Sequence, residues 1–492
     1  MSLRLKPYPA MKNSGVPWLG NVPEHWDILP ALAVYKLKSV KNSGMIEKTV
    51  LSLSYGRIIV KPQEKLRGLV PESFETYQIV DPGNIIVRTT DLQNDHTSLR
   101  IGYSANRGII TSAYMCLETR ERVSSEFGYQ FLNAYDLLKI IYGFGSGLRQ
   151  NLDFSDIKRM PVLVPPLAEQ SAIVRFLDNV EKRIRRFIAA KRRLIELLNE
   201  QKQAIIERVV TQGLDSDPSS YSGQNFVDLA VGFGHAREKR VTTAQGRIPW
   251  LISVPNHWGV VSSGRLFSAC KELAHPGDVQ LSATQAYGVI PQAEFEERVG
   301  RRVVKLFLHL EKRRHVEKDD FVISMRSFQG GLERAWATGC IRSSYVVIRP
   351  LVPIDTGYFS YLFKSRGYIQ ALQGTSNFIR DGQDLNYNNF CLVDLPSPPI
   401  EEQKAIADFL DRATEGINAA INRATKEVGL VREYRTRLIA DVVTGKLDVR
   451  GVELPPLDDA EDLPALGDET IDEAAEEESE LEPVEESADS TD

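Results

Sequence analysis

The chain contains a long internal repeat, because a stretch that begins near residue 16 recurs 232 residues later. The first copy opens with Val16-Pro17-Trp18-Leu19 and Val22-Pro23-Glu24-His25-Trp26, and the second with Ile248-Pro249-Trp250-Leu251 and Val254-Pro255-Asn256-His257-Trp258. The copies close with Pro165-Pro166-Leu167-Ala168-Glu169-Gln170 and Pro398-Pro399-Ile400-Glu401-Glu402-Gln403. Solenoid repeats have periods of only about 20–50 residues. The repeat therefore predicts two similar domains, which suit a target with two similar parts.

Length and cysteine usage narrow the class of protein. A chain of 492 residues is too long for one core and suggests three or four structural units. It has no run of eighteen apolar residues and no signal-peptide core at its N-terminus, so we expect a soluble protein that is not exported. The four cysteines, Cys116, Cys270, Cys340 and Cys391, form no C-x-x-C pair. We therefore predict neither a disulfide framework nor a zinc site, and a reducing cytoplasm fits.

The net charge of -6 is the sum of a basic body, residues 1–452, and an acidic tail. Residues 453–492 hold 18 Asp or Glu and no Lys or Arg, which leaves 60 basic and 48 acidic residues elsewhere, a net charge of +12. Lys and Arg contacts to phosphate supply most sequence-independent affinity for nucleic acid, so this balance favours a polyanion partner. The acidic tail is low in aromatic residues and is predicted to be disordered. It either solubilises the chain or competes weakly with DNA for the basic body.

Each copy is predicted to have a mixed α/β (α+β) fold. Short β-branched runs at 84–88, 114–117, 321–324 and 345–348 indicate strands, and residues 126–141 and 357–372 have the apolar spacing of helices. Between the shared opening and closing segments the copies differ mainly in loops. This pattern is typical of one scaffold that presents two specificities.

Heptad periodicity predicts two long coiled-coil helices, one after each Pro-Pro pair. The predicted seam contains Ile173, Leu177, Val180, Ile184, Phe187, Leu194 and Leu198 in the first helix, and Ile406, Leu410, Ile417, Val431 and Leu438 in the second. A helix over 167–211 would be roughly 65 Å long, which exceeds a compact domain. Pairing of the two helices within the chain is favoured, and pairing with a partner subunit is the alternative.

These features define the predicted domain boundaries. The segments are 1–165, first globular domain; 166–213, first long helix; 214–247, linker; 248–398, second globular domain; 399–447, second long helix; and 448–492, acidic tail.

The glycine-rich segments that could suggest catalysis or cofactor binding lack the neighbouring strand and helix that such motifs require. The glycines of residues 142–147 follow a helix-like segment rather than a strand, and the chain has no G-x-x-x-x-G-K-[ST] phosphate loop. His25 and His257 recur beside tryptophans, where a packed histidine is more common than a ligand or a base. We assign no catalytic residue, no metal site and no cofactor to this chain.

Candidate DNA contacts are polar side chains in the variable loops, because Arg binds guanine, Asn and Gln bind adenine, and Asp accepts from cytosine. The candidates are Arg57, Lys61, Arg88, Thr89, Asp91, Gln93, Asn94, His96 and Arg107 in the first copy, and Arg326, Ser327, Gln329, Arg334, Asn377 and Arg380 in the second. Arg149, Gln150 and Gln383 precede the Pro-Pro pairs and are either phosphate contacts or part of a structural turn. Any one of these side chains is more often simply solvated.

The doubled opening, the Pro-Pro-Leu-Ala-Glu-Gln segment and the long helix that follows it resemble the specificity subunit of type I restriction–modification enzymes. The resemblance covers residues 8 to about 450. It implies two target recognition domains separated by two antiparallel helices in a pseudo-twofold molecule, with each domain reading one half of a split sequence of double-stranded DNA. The acidic tail departs from the family pattern.

The resemblance also assigns the chemistry to partners. It implies that the helices set the unread spacer and dock two methyltransferase subunits, which restriction/translocase subunits then join. S-adenosylmethionine, ATP and Mg are expected on those partners, and none is expected on this chain. Two other interpretations remain open: a coiled-coil scaffold whose globular domains bind proteins, and an enzyme with an unfamiliar site.

Overall fold

A computed structural model describes residues 5–54, 56–62, 73–90, 99–144, 151–214, 238–242, 247–300, 310–324, 327–375 and 386–452. The chain divides into two compact units, residues 1–193 with 425–492 and residues 194–424. Within the described residues, no helix combines the length and the apolar character needed to span a bilayer. The acidic tail lies outside the described residues from position 453 onward.

The first unit is built from short strands with a few helices. Its strands are β1 (Met11–Asn13), β2 (Asn21–Pro23), β3 (Asp27–Pro30), β4 (Tyr35–Lys38), β5 (Leu51–Ser54), β6 (Arg57–Val60), β7 (Gln78–Val80), β8 (Ile85–Val87), β9 (Ile101–Tyr103), β10 (Gly108–Ile110), β11 (Met115–Thr119) and β12 (Pro161–Val164). Its helices are α1 (Ala31–Val34), α2 (Ser125–Leu137), α3 (Phe154–Ile157) and part of α4 (Leu167–Gln212). An antiparallel sheet in the order β4-β11-β8-β9 forms its centre.

The second unit repeats this arrangement. Its strands are β13 (Glu238–Arg240), β14 (Ser253–Pro255), β15 (Gly259–Ser262), β16 (Phe267–Cys270), β17 (Leu281–Thr284), β18 (Gly288–Pro291), β19 (Arg314–Val316), β20 (Phe321–Ile323), β21 (Glu333–Arg334), β22 (Gly339–Ile341), β23 (Val346–Pro350) and β24 (Asp394–Ser397). Its helices are α5 (Ser263–Leu266), α6 (Gln292–Val299), α7 (Ser327–Gly330), α8 (Thr356–Phe363), α9 (Arg366–Gln373), α10 (Tyr387–Cys391) and part of α11 (Ile400–Val443).

Strand pairing is the same in the two units. The sheet β16-β23-β20-β21 corresponds to β4-β11-β8-β9, and the pair β15-β24 corresponds to β3-β12. The pairs β13-β14, β17-β18 and β19-β22 likewise correspond to β1-β2, β5-β6 and β7-β10. The predicted mixed α/β fold is confirmed, and the repeat seen in the sequence extends to the topology of the sheets.

The helical segment predicted at 357–372 contains a break. α8 ends at Phe363 and α9 begins at Arg366, with Ser365 in an extended conformation between them. The carbonyl of Phe363 packs so closely on Gly331 that a side chain at Gly331 would clash with it, and Gly331 has a positive φ of 78°. The break therefore coincides with a close backbone contact that only a glycine at position 331 allows.

Aromatic side chains make up much of each core. In the first unit Trp26, Phe127 and Phe131 are fully buried, and in the second Trp258 and Phe267 are buried. Phe267 packs edge-on to several rings of the second unit, with centroid distances that include 5.2 Å to Phe359 and 5.8 Å to Phe321. Burial of one such side chain contributes about 1.5–3 kcal/mol, so these clusters are major stabilising elements.

The two long helices carry a buried stripe that departs from the predicted seam. Ile173, Leu177, Val180 and Ile184 are buried, but the stripe then passes through Ile188 and Arg192. Phe187 and Leu194, which the heptad pattern placed in the seam, are 38% and 41% exposed. A straight helix of 3.6 residues per turn drifts by about 20° per heptad, which moves the buried position one residue onward.

The remaining seam positions vary in burial. Ile406 and Leu410 are fully buried and Leu438 is nearly so, whereas Leu198, Ile417 and Val431 are half-buried.

Within each unit, the segments of α4 and α11 contact one another. In the first unit Arg435 donates to Glu181, with 3.0 Å between Nη2 and Oε1, and Lys191 Nζ lies 2.6 Å from Glu427 Oε2. Residue numbers rise on α4 as they fall on α11, so the two segments of this unit are antiparallel. Burial opposes ionisation of Glu181, but Arg435 and Arg185 outweigh it and hold its pKa below the usual value. In the second unit, Lys202 Nζ donates to Asn418 Oδ1 at 2.8 Å.

Candidate nucleic-acid interface

Each long helix is attached to its globular domain by a carboxylate in the first helical turn. Glu169 accepts a hydrogen bond from Trp26 Nε1 at 2.9 Å, and its Oε1 lies 2.7 Å from His25 Nε2. In the second copy Glu402 makes the same contact with His257, at 2.8 Å. The Pro-x-His-Trp opening and the Glu of the closing segment are therefore two parts of one joint, although about 144 residues separate them.

The glutamine after each carboxylate ties the long helix to a second helix. The side-chain N–H of Gln170 and of Gln403 donates to the first proline carbonyl of the preceding Pro-Pro pair, at 2.8 Å and 2.9 Å. The side-chain oxygens accept from the backbone N–H of Ser124 and Asp355, both at 2.8 Å. Ser124 and Asp355 are the N-cap residues of α2 and α8. The repeated Glu-Gln pair thus positions the globular domain against the start of the long helix.

The end of each long helix packs against the opening of the other copy. Gly445 and Gly213 have positive φ angles of 74° and 79°, as residues that follow a helix often do. A Cβ on Gly445 would clash with Trp26 and Pro23, and one on Gly213 would lie 3.2 Å from Trp258. Each joint therefore combines the start of one long helix with the end of the other.

Replacing Glu402 with alanine is expected to lower the free energy of unfolding of the second unit by about 1.5–3 kcal/mol, the usual loss for a hydrogen bond to a buried charged group. Glu401 is the matched control, because it occupies the same helical turn and is largely exposed. Glu401→Ala should cost no more than about 0.5 kcal/mol. Urea titration followed by tryptophan fluorescence measures both. Equal losses would mean that only the charge at the helix terminus matters.

Among the DNA contacts predicted in the first copy, Arg57 and Lys61 are exposed on and just after β6. Arg88 is half-buried, and the Thr89 hydroxyl donates to the Ala113 carbonyl at 2.7 Å. Arg107 is exposed and lies near the start of β8, where its Nη1 is 2.6 Å from Asp81 Oδ1. The structure thus places Arg107 and Thr89 at opposite ends of β8.

The carboxylate at Arg107 is shared between two cations. Lys38 is hydrogen-bonded to Asp81 from the other side and is the main reason that the pKa of Asp81 lies below its usual value, with Arg107 adding to the effect. Glu47 lies 3.5 Å from Arg107 Nε. Arg107 is therefore held by acidic neighbours on one side while more than half of its side chain remains open to solvent.

In the second copy, the described candidates surround α7 and β21. Ser327 is buried, and its hydroxyl accepts the N–H of Ser324 at 2.9 Å, which is a structural contact. Gln329 is exposed on α7. Arg334 Nε and Nη2 both donate to Asp319 Oδ1, at 2.9 Å and 2.6 Å. Its guanidinium carbon lies 4.5 Å from the centre of the Trp336 ring.

Arg334 belongs to an open groove of about 620 Å³ in the second unit. Its charged and aromatic lining residues are Tyr287, Glu294, Arg298, Glu333, Arg334, Trp336 and Lys364. Half of the Trp336 side chain is exposed, and Arg298 lies 5.0 Å from the Tyr287 ring centre. Flat aromatic faces beside guanidinium groups can contact bases, sugars or phosphates. Sequence reasoning selected only Arg334 from this groove. Trp336 is close to Arg334 in the chain, but Tyr287 and Arg298 come from a separate segment, and only the fold brings them to the same groove.

The other predicted contacts lie outside the described residues. They are Asp91, Gln93, Asn94, His96, Arg149, Gln150, Arg326, Asn377, Arg380 and Gln383.

The comparisons with known proteins agree with one another. The model of the type I restriction modification DNA specificity domain matches residues 36–197. The chain is 22% identical over 307 residues to the putative type I restriction enzyme MjaX specificity subunit of Methanocaldococcus jannaschii, a match that covers 61% of this chain and 63% of that protein. Over these ranges the chain is similar to specificity subunits of type I restriction–modification systems.

Two further similarities were found, one in sequence and one in structure. The chain is 28% identical over 104 residues to the type I restriction enzyme EcoKI specificity subunit of Escherichia coli K12, which covers 20% of this chain and 22% of that one. Less than two thirds of either curated relative is matched. A solved chain from a type I R-M system, described in terms of complex assembly and conformational transition, aligns with a TM-score of 0.57 at 13% identity and covers 87% of this chain and 99% of that one. At this identity the structural match concerns the fold.

The joints are a feature of this chain that sequence reasoning did not find. His25 and His257 were interpreted as packed side chains, but both are partly exposed and pair with glutamates. The signal was present in the sequence, because the Glu-Gln pair recurs with the opening at nearly the same spacing. Only the tertiary contacts show that these residues attach helices to globular domains.

Proposed function

We propose that this chain is a specificity subunit that reads DNA for a type I restriction–modification complex and is not itself catalytic. Each globular domain reads one half of a bipartite double-stranded target through its variable loops. The two long helices pair as an antiparallel coiled coil, set the length of the unread spacer and dock two methyltransferase subunits. Adenine methylation and restriction then take place on partner subunits.

The observation that carries this proposal is the twofold construction of the joint. In each unit the same Glu–His pair and the same Gln contacts attach a globular domain of the same topology to a long helix. Two domains built alike but lined by different side chains are suited to reading two different half-sites in equivalent ways. The loops differ between the two domains, whereas the attachment of each domain to its helix is the same. Specificity can therefore change while this attachment stays the same.

The helix contacts support the coiled-coil part of the proposal. α4 and α11 have 46 and 44 residues, so they are of nearly equal length. In each unit they are joined by polar contacts as well as by buried apolar residues. Similar lengths on the two sides suit the docking of two equivalent subunits.

The partners in this proposal supply all of the chemistry. Two methyltransferase subunits would bind S-adenosylmethionine, and restriction/translocase subunits would bind ATP and Mg. The site of action would be the cytoplasm, where the DNA is found. In the second copy the groove around Arg334 and Trp336 is the proposed reading surface, and in the first copy it is the exposed edge that carries Arg57, Lys61 and Arg107.

The experiment is co-expression of the chain with its methyltransferase subunit, followed by long-read mapping of modified adenines. We expect a split motif. Exchange of residues 40–160 for those of another specificity subunit should change only one half of the motif, and exchange of residues 270–395 only the other. Exchange of the linker, residues 214–247, is the control and should leave both halves unchanged.

Two outcomes would contradict the proposal. An active complex that modifies no split motif would argue against two separate readers. A split motif that is unaffected by both domain exchanges would place recognition elsewhere. Either result, together with no salt-dependent binding of DNA by the assembled complex, would favour the coiled-coil scaffold.

A further inference from the structure

A compact cluster of histidine and carboxylate side chains lies at one edge of the second unit. Backbone pairing brings together two segments that are about 40 residues apart. The N–H of Ala274 donates to the Arg313 carbonyl at 3.0 Å, and the N–H of His315 donates to the Glu272 carbonyl at 2.9 Å. His315 lies on β19, which pairs with β22. The cluster therefore rests on regular backbone hydrogen bonding.

Three side chains of this cluster converge. Glu272, His275 and His315 each offer one ligand atom, and these atoms lie within 4.8 Å of one another. His275 Nε2 is 3.0 Å from Glu272 Oε1. The two imidazole rings are stacked, with 4.1 Å between their centres. His315 is buried, whereas Glu272 is half-buried and His275 is exposed. Small rotations of the Glu272 and His275 side chains would close the set around an ion.

The half-buried carboxylate of Asp278 orients His315. Asp278 Oδ2 lies 2.8 Å from His315 Nδ1 and accepts the backbone N–H of His275 at 2.8 Å. When a carboxylate accepts the Nδ1–H of a histidine, Nε2 is unprotonated and its lone pair can bind a metal. This arrangement is common around histidines that bind metals.

The contacts of Glu272 leave one of its carboxylate oxygens beside His275. Arg349 contacts Oε2 at 3.3 Å, and Oε1 lies 3.0 Å from His275 Nε2. Arg349 makes its closest contacts with Asp320 instead, with 2.9 Å from Nη2 to Oδ2. Its positive charge is therefore largely compensated.

We propose that Glu272, His275 and His315 bind one divalent ion of the zinc class, with solvent completing the coordination shell. Two imidazoles and one carboxylate form a ligand set that zinc accepts, and imidazole suits zinc better than it suits magnesium or calcium. The ion would fasten the 271–278 loop to β19. Lys271 and Arg314, which flank the ligands, line a neighbouring groove of about 260 Å³, so the ion would also stiffen that groove.

The test is titration of the full chain, purified without a histidine tag, with Zn²⁺ alone after removal of metal by a chelator. We expect one equivalent to bind and to raise the melting temperature. Asp278→Asn should weaken binding about 10- to 100-fold, as the loss of an outer carboxylate does. His275→Ala should weaken it further. His275 is 52% exposed, so this variant should fold even where His315→Ala does not.

His257→Ala is the matched control. His257 belongs to the same unit, is 43% exposed and also pairs with a glutamate, Glu402, but is not part of the cluster. It should bind Zn²⁺ like the unaltered chain. Titration with Co²⁺ gives a second readout, because visible absorption bands report the coordination of nitrogen and oxygen ligands. A folded chain that binds no stoichiometric Zn²⁺, or a His275→Ala variant that binds it as tightly as the His257→Ala variant, would overturn the proposal.

Discussion

Trp26→Ala should lower the free energy of unfolding of the first unit by about 3–5 kcal/mol, the typical loss when a large buried aromatic side chain is truncated. Trp26 is fully buried, its ring packs edge-on to Tyr8 at 5.6 Å, and its indole N–H donates to Glu169. Because Gly445 packs closely against Trp26, the cavity left by the substitution would also reach the end of α11. Urea titration with fluorescence and circular dichroism measures the change.

Two other tryptophans provide the comparison. Trp18 belongs to the same repeated opening but is 44% exposed, so Trp18→Ala should cost about 1 kcal/mol or less. Trp258 is buried like Trp26, but among the described residues its indole nitrogen has no hydrogen-bond partner. Trp258→Ala should therefore be milder than Trp26→Ala by about 1.5–3 kcal/mol, the loss associated with a hydrogen bond to a charged group. Equal losses for Trp18 and Trp26 would show that burial at the joint is not what stabilises it.

Arg334→Ala should relax recognition at one base pair of the second half-site, with a loss of discrimination of about 1–3 kcal/mol. Asp319 holds the guanidinium by two hydrogen bonds, and the Trp336 ring lies beneath it. The group is thus pre-positioned at an open groove before DNA arrives, which reduces the entropy lost on binding. This expectation rests on the proposed function, and long-read mapping of the modified motif in the assembled complex measures it.

Two further variants identify the kind of contact. Arg334→Lys keeps the charge but loses the planar fork, so it should restore little discrimination if the contact is to a base edge. A phosphate contact would instead be restored by lysine, and Arg334→Ala would lower the salt slope of binding by about 1 without changing the motif. Arg265, an exposed arginine of α5 that does not line this groove, is the control. An unaltered motif, affinity and salt slope in Arg334→Ala would leave Arg334 as a partner of Asp319 alone.

Local patterns in the chain were sufficient for the coarse architecture. The 232-residue repeat predicted two like domains, and both units have the same strand pairing. Alternating and β-branched runs predicted the strands at 84–88 and 345–348, because side-chain patterning acts over a few residues. Heptad spacing likewise predicted the two long helices, which cover Leu167–Gln212 and Ile400–Val443.

The exact repeat of the helix and contacts between distant residues decided the rest. The heptad pattern placed Phe187 and Leu194 in the seam, but the drift of a straight helix carried the buried stripe to Ile188 and Arg192. The break between α8 and α9 lies at a close contact with Gly331, which is more than thirty residues earlier in the chain.

The same division applies to the candidate sites. The sequence by itself determined that Glu169 and Glu402 recur with their openings, and that Arg334 is a polar side chain in a variable segment. Only the tertiary structure showed that each glutamate meets a histidine about 144 residues away, that Arg334 shares a groove with Tyr287, and that His315 lies beside His275. Periodicity and local motifs report on neighbours along the chain, whereas a binding site depends on how the folded sheets bring distant segments together.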